Sequence, residues 1–363
     1  MAYTTIDDPS AYFQTTLYAG NGSADHSITN SGNSDLQPDW VWIKNRAATD
    51  VHCLFDSVRG VTKLLTTVGD VLETTDGDTL DAFQSDGFRV DADVKVNTNA
   101  ENYVAWQWKA GTTGSGTTTG SGTGKAYSYS VNTTSGFSIV KYGGNATAGH
   151  TIPHHLGAAP SMVICKSITQ NRGWPIQHVG LTSAAYVVFL SSTNAQAEQF
   201  SSGSTNTWNN TAASSTVVTL GNNANNNRVD DNDQYIMYSF AAKQGFSKFG
   251  SYVGNGNADG TFCYTGFRPA FVMIKGAISG DGDAAQSWEI YNNKALGYNV
   301  DNNHLQANTN ATENSADRLD ILSNGFKIRI NSDGVNDNGS TYIYMAFAEQ
   351  PLVTSTGVPA TAR

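Results

Sequence analysis

Charged side chains are scarce in this chain, and no basic run interrupts it. They make up 14% of the 363 residues, a share that is low for a protein built from long amphipathic helices. Lysine and arginine number 21 against 31 aspartates and glutamates, which gives a formal net charge of −10. Because no stretch could follow a phosphate backbone, we do not expect nucleic acid as a partner.

Cysteine is nearly absent and long apolar runs are missing. Cys53, Cys165 and Cys263 are odd in number and far apart, which indicates reduced thiols and assembly in a cytoplasm rather than a disulfide framework. No stretch approaches the roughly 18 apolar residues of a membrane span, and the first residues lack the basic flank and apolar core of a secretory signal. Membrane insertion is therefore not expected.

The sequence also lacks the common catalytic signatures. It contains no Gly-x-Ser-x-Gly, Cys-x-x-Cys or His-Glu-x-x-His pattern, so these hydrolase, redox and zinc-protease motifs are absent. A glycosidase needs only two carboxylates that meet in space, and the sequence leaves that alternative open. No acid, however, holds a matching place in the repeated segments described next. We predict that the protein is not an enzyme and needs no cofactor.

One apolar segment occurs three times with a proline followed six positions later by a lysine. The three pairs are Pro38 and Lys44, Pro160 and Lys166, and Pro269 and Lys275. Between them both alternating faces are apolar, as with Trp40 and Trp42 against Val41 and Ile43, or Phe271 and Met273 against their neighbours. This pattern predicts a central strand covered on both sides and entered through a proline, with core packing as its role.

A second apolar strand closes each repeat. Its heavier side chains are Trp106 and Trp108, Tyr238 and Phe240, and Met345 and Phe347. Turns rich in glycine and asparagine separate the strands. We predict an all-β fold of three tandem antiparallel β-sandwiches, jelly-roll or lectin-like, over residues 1–110, 125–243 and 244–350, each with its own core. Residues 111–124, which are only Gly, Ser and Thr, are predicted to be a flexible linker, and 351–363 an extended tail. Three copies are compatible with a pseudo-threefold body.

The loops supply the few candidate ligand residues. Asn255, Asn257 and Asp259 stand at alternate positions before Gly260, as in the first half of a calcium loop, but Gly266 replaces the closing glutamate, so a plain turn is favoured. Asn21 holds the corresponding place in the first repeat, and Asn232 lies in the polar stretch 222–233. His150, His154 and His155 form the densest imidazole cluster, which glycine and proline neighbours predict to be a surface loop without metal.

Several segments together resemble a family of virion proteins from marine tailed bacteriophages and cyanophages. They are Gly20-Asn-Gly22, Pro38-Asp-Trp40-Val-Trp42-Ile-Lys44, Phe55-Asp-Ser-Val-Arg59-Gly60, Phe246-Ser-Lys-Phe249-Gly-Ser-Tyr252, Arg268-Pro-Ala-Phe271-Val-Met-Ile-Lys275 and the ending Ser355-Thr-Gly-Val-Pro-Ala-Thr-Ala-Arg363. The resemblance covers essentially the whole chain and implies a structural, tail-fibre-like component of the particle. It carries no catalytic residues to transfer.

The resemblance places the protein on the virion surface after assembly in the host bacterial cytoplasm. The expected partners are other virion proteins and, through Asn-, Ser-, Thr- and Tyr-rich loops, a host surface glycan. A tail-associated adhesin is the leading hypothesis, with a head-decorating protein and a glycan depolymerase as alternatives. No fibre shaft of heptads or short repeats is present, which favours a compact knob, and three repeats are compatible with a homotrimer.

Overall fold

The computed structural model of the chain describes residues 3–199, 206–228, 233–280, 286–295, 303–354 and 356–358. Within these ranges the protein is almost entirely β-structure, arranged as three large antiparallel sheets, each accompanied by a three-stranded outer sheet. The helices are one 3-10 turn, Pro9–Ala11, and two single α-turns, α1 (Val94–Asn97) and α2 (Asp333–Asn336). The all-β, antiparallel sandwich prediction is confirmed.

The first sheet pair uses residues 13–108. Its strands are β1 (Phe13–Ala19), β2 (His26–Ile28), β3 (Trp40–Asn45), β4 (Cys53–Asp56), β5 (Gly60–Leu65), β6 (Thr74–Thr75), β7 (Leu80–Gln84), β8 (Gly87–Val90) and β9 (Asn102–Trp108). The large sheet has the order β1-β9-β3-β4-β5-β6, and the outer sheet has the order β2-β8-β7. Side chains of both sheets meet in an apolar layer that includes Ile43, Phe55 and Phe88.

The second sheet pair uses residues 112–240. Its strands are β10 (Thr112–Thr117), β11 (Thr119–Gly120), β12 (Ala126–Asn132), β13 (Phe137–Gly143), β14 (His150–Pro153), β15 (Met162–Ser167), β16 (Pro175–His178), β17 (Tyr186–Phe189), β18 (Ala197–Glu198), β19 (Val217–Leu220) and β20 (Gln234–Phe240). The large sheet runs β10-β12-β13-β20-β15-β16-β17-β18, and the outer sheet runs β11-β14-β19.

The third sheet pair uses residues 247–351. Its strands are β21 (Ser247–Val253), β22 (Phe262–Tyr264), β23 (Phe267–Ile278), β24 (Glu289–Asn292), β25 (His304–Gln306), β26 (Leu319–Leu322), β27 (Gly325–Ile328) and β28 (Thr341–Pro351). The large sheet is ordered β21-β28-β23-β24-β25, and the outer sheet β22-β27-β26.

The proline-to-lysine segments form β3, β15 and the middle of β23, and each is paired on both sides. All residues of β3 and β15 are buried, as is β23 up to its last residue. The register is the same in all three sheets, since Trp40 pairs with Trp108, Met162 with Phe240, and Phe271 with Phe347. The central-strand prediction is confirmed. Pro269 differs from its counterparts because it lies inside β23, at a register shift that accommodates a residue without an N–H.

The inner faces of the three large sheets share one core. The ring of Trp40 lies 4.6 Å from that of Tyr238, Phe13 stacks on Phe347 at 5.1 Å, and Phe240 lies 6.0 Å from Phe249. One buried cluster therefore contains side chains of all three sheets. The prediction that each repeat encloses its own core is wrong for these inner faces, because each sheet buries its aromatic face against the other two.

The three sheet pairs form a ring, in which the same type of contact joins each pair to the next. At the residue before β4, and at the matching positions before β16 and β24, a ring N–H meets a backbone carbonyl of the preceding sheet. His52 Nε2 lies 3.0 Å from the Gln306 carbonyl, while Trp174 Nε1 donates to Thr66 O at 3.1 Å and Trp288 Nε1 to Phe189 O at 2.9 Å. The first sheet thus contacts the third, the second the first, and the third the second, in a cyclic arrangement.

The predicted flexible linker is wrong for most of its length. Residues 112–117 form β10, which pairs with β12 along its whole length. Tyr129 and Tyr127 stand opposite Gly114 and Gly116, and a methyl group added at either glycine would come within 2.8 Å of the tyrosine hydroxyl. A larger residue at either position would have to displace the tyrosine ring that lies across the strand, and the packing of these rings offsets the entropy lost on ordering the run.

Candidate ligand-binding surface

The three signature lysines are buried and hold backbone carbonyls. Lys44 Nζ donates to the carbonyls of Asn45 and Ala48, Lys166 Nζ to those of Asp70 and Arg172, and Lys275 Nζ to those of Thr193 and Gln286. For Lys166 and Lys275 one of these carbonyls, that of Asp70 or Thr193, belongs to a loop of the neighbouring sheet pair. Burial lowers the pKa of Lys44 and Lys166 to about 8 and that of Lys275 to about 7. Lys166 and Lys275 therefore join neighbouring sheet pairs, whereas Lys44 holds the turn that follows its own strand.

This burial predicts a stability that rises with pH. Because the folded-state pKa of each lysine lies below its unfolded value, the unfolded chain binds more protons between about pH 7 and pH 10, and unfolding becomes harder as pH increases. The expected slope is up to about 1.4 kcal/mol per pH unit for each lysine in that window. Urea unfolding of the parent and of a Lys44→Met, Lys166→Met, Lys275→Met variant measures it.

The exposed Lys248 supplies the matched control, since Lys248→Met should leave the pH profile of the parent unchanged. A parent profile that is flat over the window, or that falls with rising pH, would show that the ammonium groups are better solvated than their burial implies.

In each Gly/Asn turn, the candidate asparagine accepts a hydrogen bond from a buried asparagine, Asn97 or Asn336. Asn21 Oδ1 accepts from Ser23 N at 2.8 Å and from Asn97 Nδ2 at 3.1 Å, and Asn255 Oδ1 accepts from Asn257 N at 3.0 Å and from Asn336 Nδ2 at 3.1 Å. These oxygens stabilise the turn itself. Asn257 accepts in the same way from Asp259 N at 3.0 Å, and Asn232 lies outside the described residues.

The imidazole cluster differs from its prediction. His150 and His154 are buried rather than in a surface loop. His150 lies on β14 between Asn227 Oδ1 at 3.1 Å and Thr118 Oγ1 at 2.6 Å, and His154 Nε2 contacts the Ser214 carbonyl at 3.1 Å. Burial lowers the pKa of both groups. In the described part of the chain, no group of three or more His, Cys, Asp or Glu side chains is placed to hold a metal ion.

Asp259 lies at a different surface, beside the third outer sheet. Its carboxylate is largely exposed and pairs with Lys327 Nζ at 2.6 Å. Lys327 stands on β27 directly opposite Phe262 of β22, and Gly325 stands opposite Tyr264. Phe262 and Tyr264 are 44% and 52% exposed, whereas Cys263 between them is buried. Strand β22 is thus an edge strand that presents two aromatic rings to solvent beside an ion pair.

A third aromatic side chain borders this pair. Tyr3 donates its hydroxyl to the Gly266 carbonyl at 2.7 Å, and burial together with a hydrogen bond to Tyr264 raises the pKa of Tyr3 to about 12. We call Tyr3, Asp259, Phe262, Tyr264 and Lys327 the aromatic platform. It combines flat apolar faces with one carboxylate, one ammonium and two hydroxyls, a combination suited to a ligand with apolar ring faces and polar edges.

The other two outer sheets show that the fold does not require these aromatics. By register, Phe262 corresponds to Ser27 and Thr151, and Cys263 to the buried Ile28 and Ile152. The position after it holds Thr29 in the first outer sheet, Pro153 in the second and Tyr264 in the third. Only the third outer sheet carries exposed aromatic rings at these positions. Packing of the fold therefore does not require them.

Sequence reasoning missed Phe262 and Tyr264 although it reached the adjacent turn at Asp259. A strand with the sequence Phe-Cys-Tyr can point either Cys263 or the two aromatic rings toward solvent, and the tripeptide alone does not decide between them. Aligning the three repeats at this strand would have revealed the difference, because Ser27 and Thr151 are polar where Phe262 is aromatic.

Comparison with known proteins gives one family. Among the described residues, no helix is long and apolar enough to cross a membrane. No curated protein and no solved structure matches the chain. Residues 8–351 match the family described as a domain of unknown function, DUF7483, and the matched region includes all three sheet pairs. The chain therefore belongs to the DUF7483 family.

Proposed function

We propose that this protein is a structural component of the surface of a tailed-phage particle, where it acts as an adhesin that binds host surface glycan through the aromatic platform. The observation that carries the binding role is the exposure of Phe262 and Tyr264 at positions where the other outer sheets have small or polar residues. The virion assignment rests on the sequence resemblance, and the closed ring of three sheets around one core provides a stiff body that could display such a platform.

The binding surface is tested with residues that the fold already accepts. A Phe262→Ser, Tyr264→Thr variant copies Ser27 and Thr29 of the first outer sheet. We expect its affinity for host polysaccharide to fall about tenfold or more through loss of ring stacking, with unfolding free energy changed by less than about 0.5 kcal/mol. Binding of purified protein to an array of bacterial polysaccharides provides the measurement.

Val71→Ser, at an exposed apolar residue of the first sheet pair, is the control and should bind like the parent. Equal binding by the double variant and the parent would remove the platform from the proposal. Shortening of the polysaccharide during the assay would replace the adhesin with a depolymerase.

The location is tested on the particle. Gold-labelled antibody against the purified protein should mark the tails of phage particles from the source of the sequence. Label distributed over the whole head would make the protein a decoration protein instead, and particles without label would contradict the virion assignment.

A further inference from the structure

The second large sheet extends further than the other two. Strand β13 is the counterpart of β1 and β21, since each of them pairs with the strand that closes its repeat. β1 and β21 end their sheets, whereas β12 and β10 lie beyond β13. Strand β10 is thus an addition to the repeated plan, and five of its six residues are exposed. No strand in the described part of the chain pairs with its outer edge.

The ladder between β10 and β12 leaves backbone groups of β10 directed outward. Thr118 N donates to Lys125 O at 2.8 Å, and these two residues continue the register of β10 on β12. Residues of an antiparallel ladder alternate between backbone groups that point to the partner strand and groups that point away from it. The N–H and C=O groups of Thr113, Ser115 and Thr117 therefore point away from β12 and face solvent.

Most sheet edges carry features that prevent another strand from adding to them, and β10 carries none of these. Its residues are only threonine, serine and glycine, and no charged residue or proline occurs in 111–124. Its register with β12 runs through all six residues without a bulge. The edge strands β6, β18 and β25, in contrast, are only two, two and three residues long. Because charge, proline, bulges and shortness are the usual protections, β10 is open to a further strand.

The side chains around this edge restrict which strand fits. A methyl group at Gly114 would lie 2.6 Å from the hydroxyl oxygen of Tyr129, and one at Gly116 would lie 2.8 Å from that of Tyr127. The hydroxyl ends of both rings therefore lie over β10 itself. A strand added beside β10 places its own Cβ atoms about 5 Å from these glycine positions, close to the two hydroxyls. Glycines at two alternate positions of the added strand fit best, and β10 itself has this spacing.

We propose that β10 pairs antiparallel with β10 of a second copy of this chain, about a twofold axis at Ser115. In this register Thr113 stands opposite Thr117 of the second copy, so all the outward backbone groups are paired. Gly114 stands opposite Gly116 of the second copy, which leaves room for the tyrosines of both. The uncharged strands meet without nearby like charges, although each chain has a net charge of −10. The pairing is independent of the proposed function and closes at two copies.

Sedimentation equilibrium of the full chain measures this association. One strand pair is smaller than the roughly 800 Å² per partner of a standard interface, so we expect a reversible dimer with a dissociation constant of about 1–100 µM. The measured mass should rise from that of one chain, 38.7 kDa, toward twice that value as the concentration increases through this range.

Two double variants at exposed positions test the register. Thr113→Lys, Thr117→Lys places lysine opposite lysine in the dimer and should weaken it about tenfold or more. Thr113→Lys, Thr117→Glu places lysine opposite glutamate and should dimerise at least as tightly as the parent. The two variants change the same residues, so each is the control for the other, and circular dichroism should give both the melting curve of the parent monomer.

Cysteine substitutions locate the twofold axis. The three native cysteines are buried, so an introduced thiol at the edge is the reactive one. In Ser115→Cys the two thiols stand opposite each other with Cα atoms about 5.5 Å apart, within the range of a disulfide, and diamide should convert them to a covalent dimer. Thr113→Cys faces Thr117 of the second copy and should not cross-link alone, whereas Thr113→Cys with Thr117→Cys should.

A reversible dimer that the lysine pair dissociates, the lysine–glutamate pair retains and Ser115→Cys cross-links would support the inference. A parent that stays monomeric, forms a trimer, or forms a dimer that responds equally to both charge variants would overturn it. Cross-linking of Thr113→Cys alone in place of Ser115→Cys would also overturn it. The platform variant, Phe262→Ser, Tyr264→Thr, should dimerise like the parent, and loss of the dimer there would assign the association to β22 instead.

Discussion

Replacing Trp108 with alanine is expected to lower the free energy of unfolding of the chain by about 3–5 kcal/mol, in a single transition. The Trp108 ring is 1% exposed and lies 4.5 Å from Trp40 of its own sheet. It also lies 5.8 Å from Phe271 and 5.7 Å from Phe347 of the third sheet. The cavity left by the indole would therefore weaken contacts among several sheets at once.

Urea unfolding followed by circular dichroism and by tryptophan fluorescence measures this effect, and the two signals should change together. Val71→Ala, at an exposed residue, is the control with a change of less than about 0.5 kcal/mol. If Trp108→Ala instead produced an early partial transition with the remaining signal unchanged, the first sheet pair would unfold alone, and the shared core would not couple the sheets.

Replacing Asp56 with alanine is expected to cost about 3–5 kcal/mol, because it leaves the guanidinium of Arg59 buried without its principal counter-charge. Arg59 Nε lies 2.5 Å from Asp56 Oδ2, and the two side chains are 1% and 0% exposed. Tyr238 of the second sheet donates its hydroxyl to the same oxygen at 2.7 Å. The pair therefore stabilises both the turn after β4 and the seam between two sheets.

A double variant, Asp56→Leu with Arg59→Met, should recover much of that loss, since removing both charges avoids the desolvation of an unpaired ion. Asp320→Ala is the surface comparison, because Asp320 and Arg329 form a partly exposed pair whose loss should cost about 1 kcal/mol or less. Equal costs for Asp56→Ala and Asp320→Ala in urea unfolding would contradict the role assigned to the buried pair.

The central strands were predictable because their pattern has a single structural solution. A strand with Trp40 and Trp42 on one face and Val41 and Ile43 on the other has to be covered on both sides, and the lysine six positions after the proline sets the register. Repetition of this pattern in β15 and β23 made the prediction robust against the different side chains in each copy.

The sharing of the core was not predictable, because contacts between sheets join residues far apart in sequence. Phe13 and Phe347 stack although more than three hundred residues separate them, and no local sequence pattern predicts such a contact. The run at 111–124 failed for a related reason. Considered alone, its glycines predict a flexible segment. In the structure, Tyr127 and Tyr129 of the next strand pack across two of them and order the segment as a strand. The prediction for His150 was wrong because its partners, Thr118 and Asn227, come from connecting segments distant in sequence.

The candidate site was reached only in part. The sequence directed attention to the turn at Asn255, Asn257 and Asp259, where the structure uses the asparagines for the turn itself and leaves Asp259 at the edge of the aromatic platform. The exposure of Phe262 and Tyr264 depends on which face β22 turns outward.

The stacking of Phe13 on Phe347 joins the first strand of the ring to the last. During synthesis, β28 emerges from the ribosome after the other strands of the three large sheets, so Trp108 of the first sheet lacks its contact with Phe347 until then. Long-range pairing of this kind slows folding, and a nascent chain that pauses before β28 exposes a broad aromatic face that favours aggregation. We expect heterologous production to benefit from low temperature and chaperones, and fragments that end before residue 341 to accumulate in inclusion bodies.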